Sequence, residues 1–204
     1  MPDWYRNTEW NDEVAAGFDA KLARSRGQRS QYLRIQGSTL KDVDPRAAIE
    51  LFRRCIGEGD PLTIAHAMLD MAHAHYRLGH VGEALDTLEA LLDQQQREPR
   101  HRTSAAFEYP FLVALHDERQ RFDRAWAVLQ EGEPAFLPDM MFEVEAARAI
   151  LHDGRGEREA STTAARRALG ASAEQGWIPG FPDVGVVTDS EHPLMQRLRG
   201  LAGD

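Results

Sequence analysis

The chain is short of several things that would narrow its function at once. Cys55 is its only cysteine in 204 residues, so no internal disulfide can staple the fold. A lone thiol suits a reducing compartment, and within IELFRRCI it reads as a small buried residue. No apolar run approaches the roughly 18 residues of a membrane helix. No basic-then-apolar leader opens the sequence either, which leads to the expectation of a cytoplasmic protein with no membrane partner. HExxH, the GxxxxGK phosphate loop and the GxSxG elbow are all missing. Single serines, histidines and aspartates abound, but none has neighbours that would activate it, so neither an enzyme nor a cofactor is expected. Basic excess is lacking too: a formal charge of −9 disfavours non-specific contact with nucleic acid.

What is present is a globular composition, 42% hydrophobic and 28% charged, sufficient for one domain over residues 1–204. Charge is spread unevenly. Lys21, Arg24, Arg26, Arg29, Arg34 and Lys41 fall in a stretch without any acid. They read either as a basic patch able to meet RNA or, in the simpler case, as cations that pair with acidic neighbours.

The clearest organisation lies in LTIAHAMLDMAHAHYRLGHVGEALDTLEALLDQQQ, residues 62–96. Ile64, Met68, Met71, Ala72, His75 and Leu78 follow helical spacing. Asp60-Pro61 supplies the start of that helix and Gly79 its end. A second helix follows, with Ala84, Leu85, Leu88, Leu91 and Leu92 on one face. The connection, 80–83, is short enough to force an antiparallel pair.

The spacing of Ala72, Tyr76, Gly79, Glu83-Ala84, Leu88 and Leu91 resembles a tetratricopeptide repeat, a helix–turn–helix unit of about 34 residues. Ala72 and Ala84 would let its two helices approach closely. The pattern recurs with decay. ERQRFDRAWAVL sets Ala125 at the place of Ala84, PRAAIELFRRCI sets Ala48 there, and AARAILHDGRGEREASTTAARRAL gives a weaker copy centred on Ala160. The marks at 48, 84, 125 and 160 are 36, 41 and 35 residues apart, and the polar QQQREPRHRTS accounts for the long interval. By the same spacing His116 holds the place of His75, so both read as packed core histidines.

The resemblance implies an all-α, right-handed solenoid of antiparallel helix pairs, with three to four repeats over residues 29–170. Stacked repeats need caps. Residues 1–28 would supply one, since Trp10, Val14, Phe18 and Leu22 form a stripe on a helix that Asn7, Thr8 or Asn11 can cap, while Trp4 and Tyr5 fold back onto it. Residues 171–204 would supply the other: an irregular seal from Trp177, Ile178, Phe181 and Val184 to Val187, then a short helix, 192–201. DWYRNTEW through QYLRIQ is also similar to the opening of a set of uncharacterised bacterial helical-repeat proteins, a resemblance that carries no activity.

In solenoids of this type the first helices of successive repeats line a groove that takes up peptides. His66, Asp70, His73 and Arg77 share one helical face, flanked by Leu69 and Tyr76. Arg34 and Lys41 occupy matching positions before it, and Asp117, Glu118 and His152 after it. The row reads as a solvated face, as a groove for a protein or peptide partner, or as a metal-dependent hydrolase site from His66, Asp70 and His73. An acidic inhibitor of immunity or antitoxin type, covering a basic partner, is a further version of the binding reading, and a homodimer stays open. Arg148, Arg155, Arg158, Arg166 and Arg167 also suggest RNA, but no aromatic interleaves with them in the sequence.

Overall fold

The computed structural model describes residues 3–132, 135–174 and 193–203. All regular structure among the described residues is helical, as the periodicity leads one to expect. The helices are α1 (Asp12–Leu22), α2 (Arg29–Leu40), α3 (Pro45–Gly57), α4 (Pro61–Arg77), α5 (Val81–Arg97), α6 (Ala105–Leu115), α7 (Phe122–Glu131), α8 (Pro138–Gly154), α9 (Arg158–Ser172) and α10 (Pro193–Ala202). None of them is long and apolar enough to cross a membrane. The chain forms two compact units, Met1–Ala105 and Ala106–Asp204.

In the first unit, aspartate-proline pairs start two helices. The Asp44 carboxylate accepts from Ala47 N, and that of Asp60 accepts from Leu62 N, at 3.1 Å in each case. Each such cap is worth about 1 kcal/mol. Gly79, at φ 74°, closes α4 in the left-handed conformation that its position requires. Packing then runs α2 on α3, α3 on α4, α2 on α4 and α4 on α5. Small residues set the close approaches: Ala72 and Ala84 are fully buried, and a Cβ at Gly37 would stand 2.6 Å from the Phe52 ring. Cys55 is buried and donates its thiol to Ser30 O, and burial raises its pKa, as suits a packed thiol rather than a reactive one.

Tryptophans at the start of the chain form part of this core. Trp4 packs on Phe18 at 5.3 Å and on Tyr32 at 4.8 Å, and Trp10 packs on Phe18 at 5.6 Å between ring centroids. Asn11 is the residue that caps α1, accepting from Val14 N. A polar lock fixes the segment. Gln36, fully buried in α2, accepts from Asn7 N and Asn7 Nδ2 through Oε1 and donates to Asn7 O through Nε2. With both its amide groups engaged inside the protein, Gln36 costs little to bury.

The second unit is built on the α8–α9 pair, with α10 against α9 and α8 and with α7 against α8. It corrects the repeat phase expected from alanine spacing. Helices α4, α6 and α8 end in the same turn: a left-handed residue, Gly79, Asp117 or Gly156, is followed by an amide that bonds back five positions. Those bonds are His80 N to His75 O, Glu118 N to Val113 O and Glu157 N to His152 O. The partner of His75 in the next turn is therefore Val113, and in the one after it His152. His116 lies beyond the end of α6 and is exposed, because α6 stops at Leu115. His75 is buried, as expected, but its Nδ1 has no hydrogen-bond partner.

The long interval is also shared out differently. QQQR continues α5, and an extra 3-10 turn, Arg119–Arg121, separates Asp117 from α7. In the last pair the buried small residue is Ser161, not Ala160, and its Oγ donates to Ala149 O at 2.8 Å. The expected C-terminal seal from Trp177, Ile178, Phe181 and Val184 to Val187 lies outside the described residues.

Candidate functional site

The α4 row meets α2 at one carboxylate. Ser38 Oγ and Lys41 Nζ donate to Asp70, the lysine at 2.8 Å, and Arg34 Nη1 stands 4.0 Å from Asp70 Oδ2. Asp70 is largely buried, so two cations and a hydroxyl converge on a single half-dehydrated anion and leave a local surplus of one positive charge. Around it His66 is exposed, Leu69 and His73 are half-buried, and Tyr76 lies at the surface with its phenol pKa raised by desolvation. Arg77 Nε pairs with Asp42 at 3.0 Å, an exposed contact that adds little stability.

Three other expected residues belong to the second unit. Asp117 occupies the left-handed turn and pairs with Arg119 at 2.9 Å and Arg197 at 3.8 Å. Glu118 follows it, half-buried. His152 contacts Glu157 and Trp126.

The basic stretch does not form one patch. Arg29 pairs with Glu58 at 2.9 Å, Lys41 and Arg34 turn to Asp70, and Arg24 Nε bonds Ala20 O. Among the described residues no three His, Cys, Asp or Glu side chains converge to hold an ion, and the oxygens of Asp70 face Ser38, Lys41 and Arg34.

A second site escaped the sequence reading. An open cleft of about 800 Å³ lies between α7, α8 and α9, lined among others by Trp126, Glu145, Arg148, His152, Glu157 and Arg167. Arg148 Nη1 bonds Glu145 Oε1 at 2.9 Å, while Arg167 Nη1 stands 4.0 Å from Glu145 Oε2, a buried oxygen with no hydrogen-bond partner. His152 Nδ1 pairs with Glu157 Oε2, and the His152 ring meets Trp126 edge-on at 4.7 Å. The Arg155 guanidinium lies 4.4 Å from the Trp126 centroid. The aromatic that the arginine-rich helices lack in sequence is thus supplied by α7.

Elsewhere in this unit, burial together with the neighbouring carboxylates Glu108 and Asp139 raises Glu143 to about 8. Comparison of the chain with protein-family models, with curated proteins and with solved structures finds no match.

Proposed function

We propose that the protein is a non-enzymatic helical-repeat scaffold of tetratricopeptide type that binds a protein or peptide on the face formed by α2 and α4. The observation that carries this reading is the convergence of Arg34, Ser38 and Lys41 from α2 on Asp70 of α4. It aligns the polar rows of two neighbouring first helices and leaves Tyr76 and His66 at the surface beside a net positive charge. The packing order of α2 to α5, in which each helix pair leans on the next, supports a stacked repeat. A partner segment carrying a carboxylate and an apolar side chain suits such a face, through arginine forks and aromatic contact.

Selection from a random-peptide display library tests the reading. Wild-type protein should enrich peptides that compete for one site. The variant Arg34→Ala with His73→Ala should lose them while its circular-dichroism melt stays near that of wild type. Enrichment of nothing, or equal binding by the folded variant, would refute the groove.

A further inference from the structure

We propose that the cleft between α7, α8 and α9 binds a free mononucleotide, through phosphate contacts from Arg167 and Arg148 and ring contact with Trp126. This goes beyond peptide binding by the first unit and does not rest on it.

The cleft exists because a junction that is closed in one unit is open in the other. His75 and His152 occupy equivalent places at the ends of α4 and α8. Around His75 the neighbouring helices α3 and α5 both pack on α4, and the imidazole is buried close enough to Arg53 and Glu83 for their charges to act on it. Around His152, α9 packs closely on α8 while α7 makes a much smaller contact, and the space between becomes a cleft of about 800 Å³. That volume falls in the range of small-molecule sites.

Charge decides the kind of molecule. Two guanidiniums, Arg148 and Arg167, share the single carboxylate of Glu145, a local excess of one positive charge at that end of a cleft whose other charged lining residues, Arg158, Glu157 and Glu159, are acidic on balance. Arg167 is 66% exposed and stands outside hydrogen-bond range of Glu145, so it can turn to an incoming anion without breaking a bond. Arg158 lines the cleft too. Guanidinium forks match phosphate geometry, and a phosphate bridging Arg167 and Arg148 would use the surplus charge.

The wall that carries Trp126 selects for a flat ring. Trp126 already holds one planar group, the Arg155 guanidinium, against its ring, and the edge-on His152 adds a second ring surface. A bare anion would leave this wall unused. Extended RNA is disfavoured by the −9 charge and by Glu157 and Glu159 on the same cleft, which oppose further phosphates. One phosphate on one heterocycle satisfies both walls.

Isothermal titration of the full chain with adenosine monophosphate, adenosine and inorganic phosphate tests the assignment. The nucleotide should bind at least about tenfold more tightly than either fragment, and added salt should weaken it. Arg167→Ala, an exposed substitution that should leave the melt unchanged, should reduce nucleotide affinity about tenfold or more, and Trp126→Leu should remove the preference for nucleotide over phosphate. Should Trp126→Leu fail to fold, Arg167→Glu serves as the second variant, with loss of binding expected. No heat from the nucleotide at millimolar concentration, equal affinity for phosphate alone, or undiminished binding by Arg167→Ala would each overturn the proposal.

Discussion

Glu143 offers the sharpest quantitative test, because its environment converts directly into a dependence of stability on pH. Burial and the carboxylates of Glu108 and Asp139 lift it from an ordinary 4.5 to about 8 in the folded protein. The native state therefore holds a proton that the unfolded chain has already released across the window from about 4.5 to 8. Where the native state binds more protons, stability falls as pH rises. The contribution is fully present below the unfolded value and is gone above the folded one. Integrated from pH 6 to pH 8.5, these two values give a loss of about 2.5 kcal/mol from this group alone. Glu143→Gln keeps the shape of the protonated acid and cannot ionise, so it should erase that loss. The assay is urea unfolding followed by circular dichroism, for both proteins at both pH values. His75, whose pKa is lowered chiefly by burial, titrates in both proteins and cancels in the comparison. Wild type should weaken by about 2.5 kcal/mol more than the variant between the two pH values. Equal pH dependence in the two proteins would show that Glu143 is ionised in the fold and that the crowding of Glu108, Asp139 and Glu143 is relieved by some other route.

Two packing predictions accompany it. Gly37→Ala places a methyl 2.6 Å from the Phe52 ring and should destabilise by about 1–3 kcal/mol in thermal melts. Combination with Phe52→Leu should cost less than the sum of the two single changes, and strict additivity would contradict the contact. Trp4→Ala removes ring contacts with Phe18 and Tyr32 and should cost about 1–3 kcal/mol of unfolding free energy, whereas an unchanged melt would make the tryptophan a surface feature.

Some of this architecture can be read directly from the sequence, for identifiable reasons. Helices α3 to α5 are legible because Asp-Pro starts, left-handed glycine and apolar spacing agree with one another. The packing of the aromatic segment on α1 is legible because its stripe ends in Phe18 and Leu22, both buried. The segment α6, AAFEYPFLVAL, is apolar nearly all round and carries a proline inside, so its sequence gives no face to register against its neighbours. Alanine spacing then misplaces the equivalence of His116. It also selects Ala160 over Ser161, since a serine whose hydroxyl bonds a carbonyl within the neighbouring helix fits a close approach as well as alanine does. Of the α2–α4 face, the members are legible from helical period alone, but the hub role of Asp70 is not, because Arg34, Ser38 and Lys41 are about 30 residues away.

The cleft in the second unit was hidden for a different reason. Trp126, Glu145 and Arg167 come from three helices, and no period or motif joins them. The signal that does exist is backbone geometry. The turns at Gly79, Asp117 and Gly156 place His75, Val113 and His152 in one register, where glycine is replaced once by aspartate at φ 52°. At that shared position one imidazole is enclosed by helices on both sides and the other opens onto solvent beside Trp126 and Glu157. The identity of the residue is the same and its local turn is the same. What differs is how closely the preceding helix approaches: α3 packs extensively on α4, whereas α7, which a 3-10 turn precedes, makes a much smaller contact with α8. Looser approach by one neighbouring helix thus accompanies the change from a core position to the wall of a pocket.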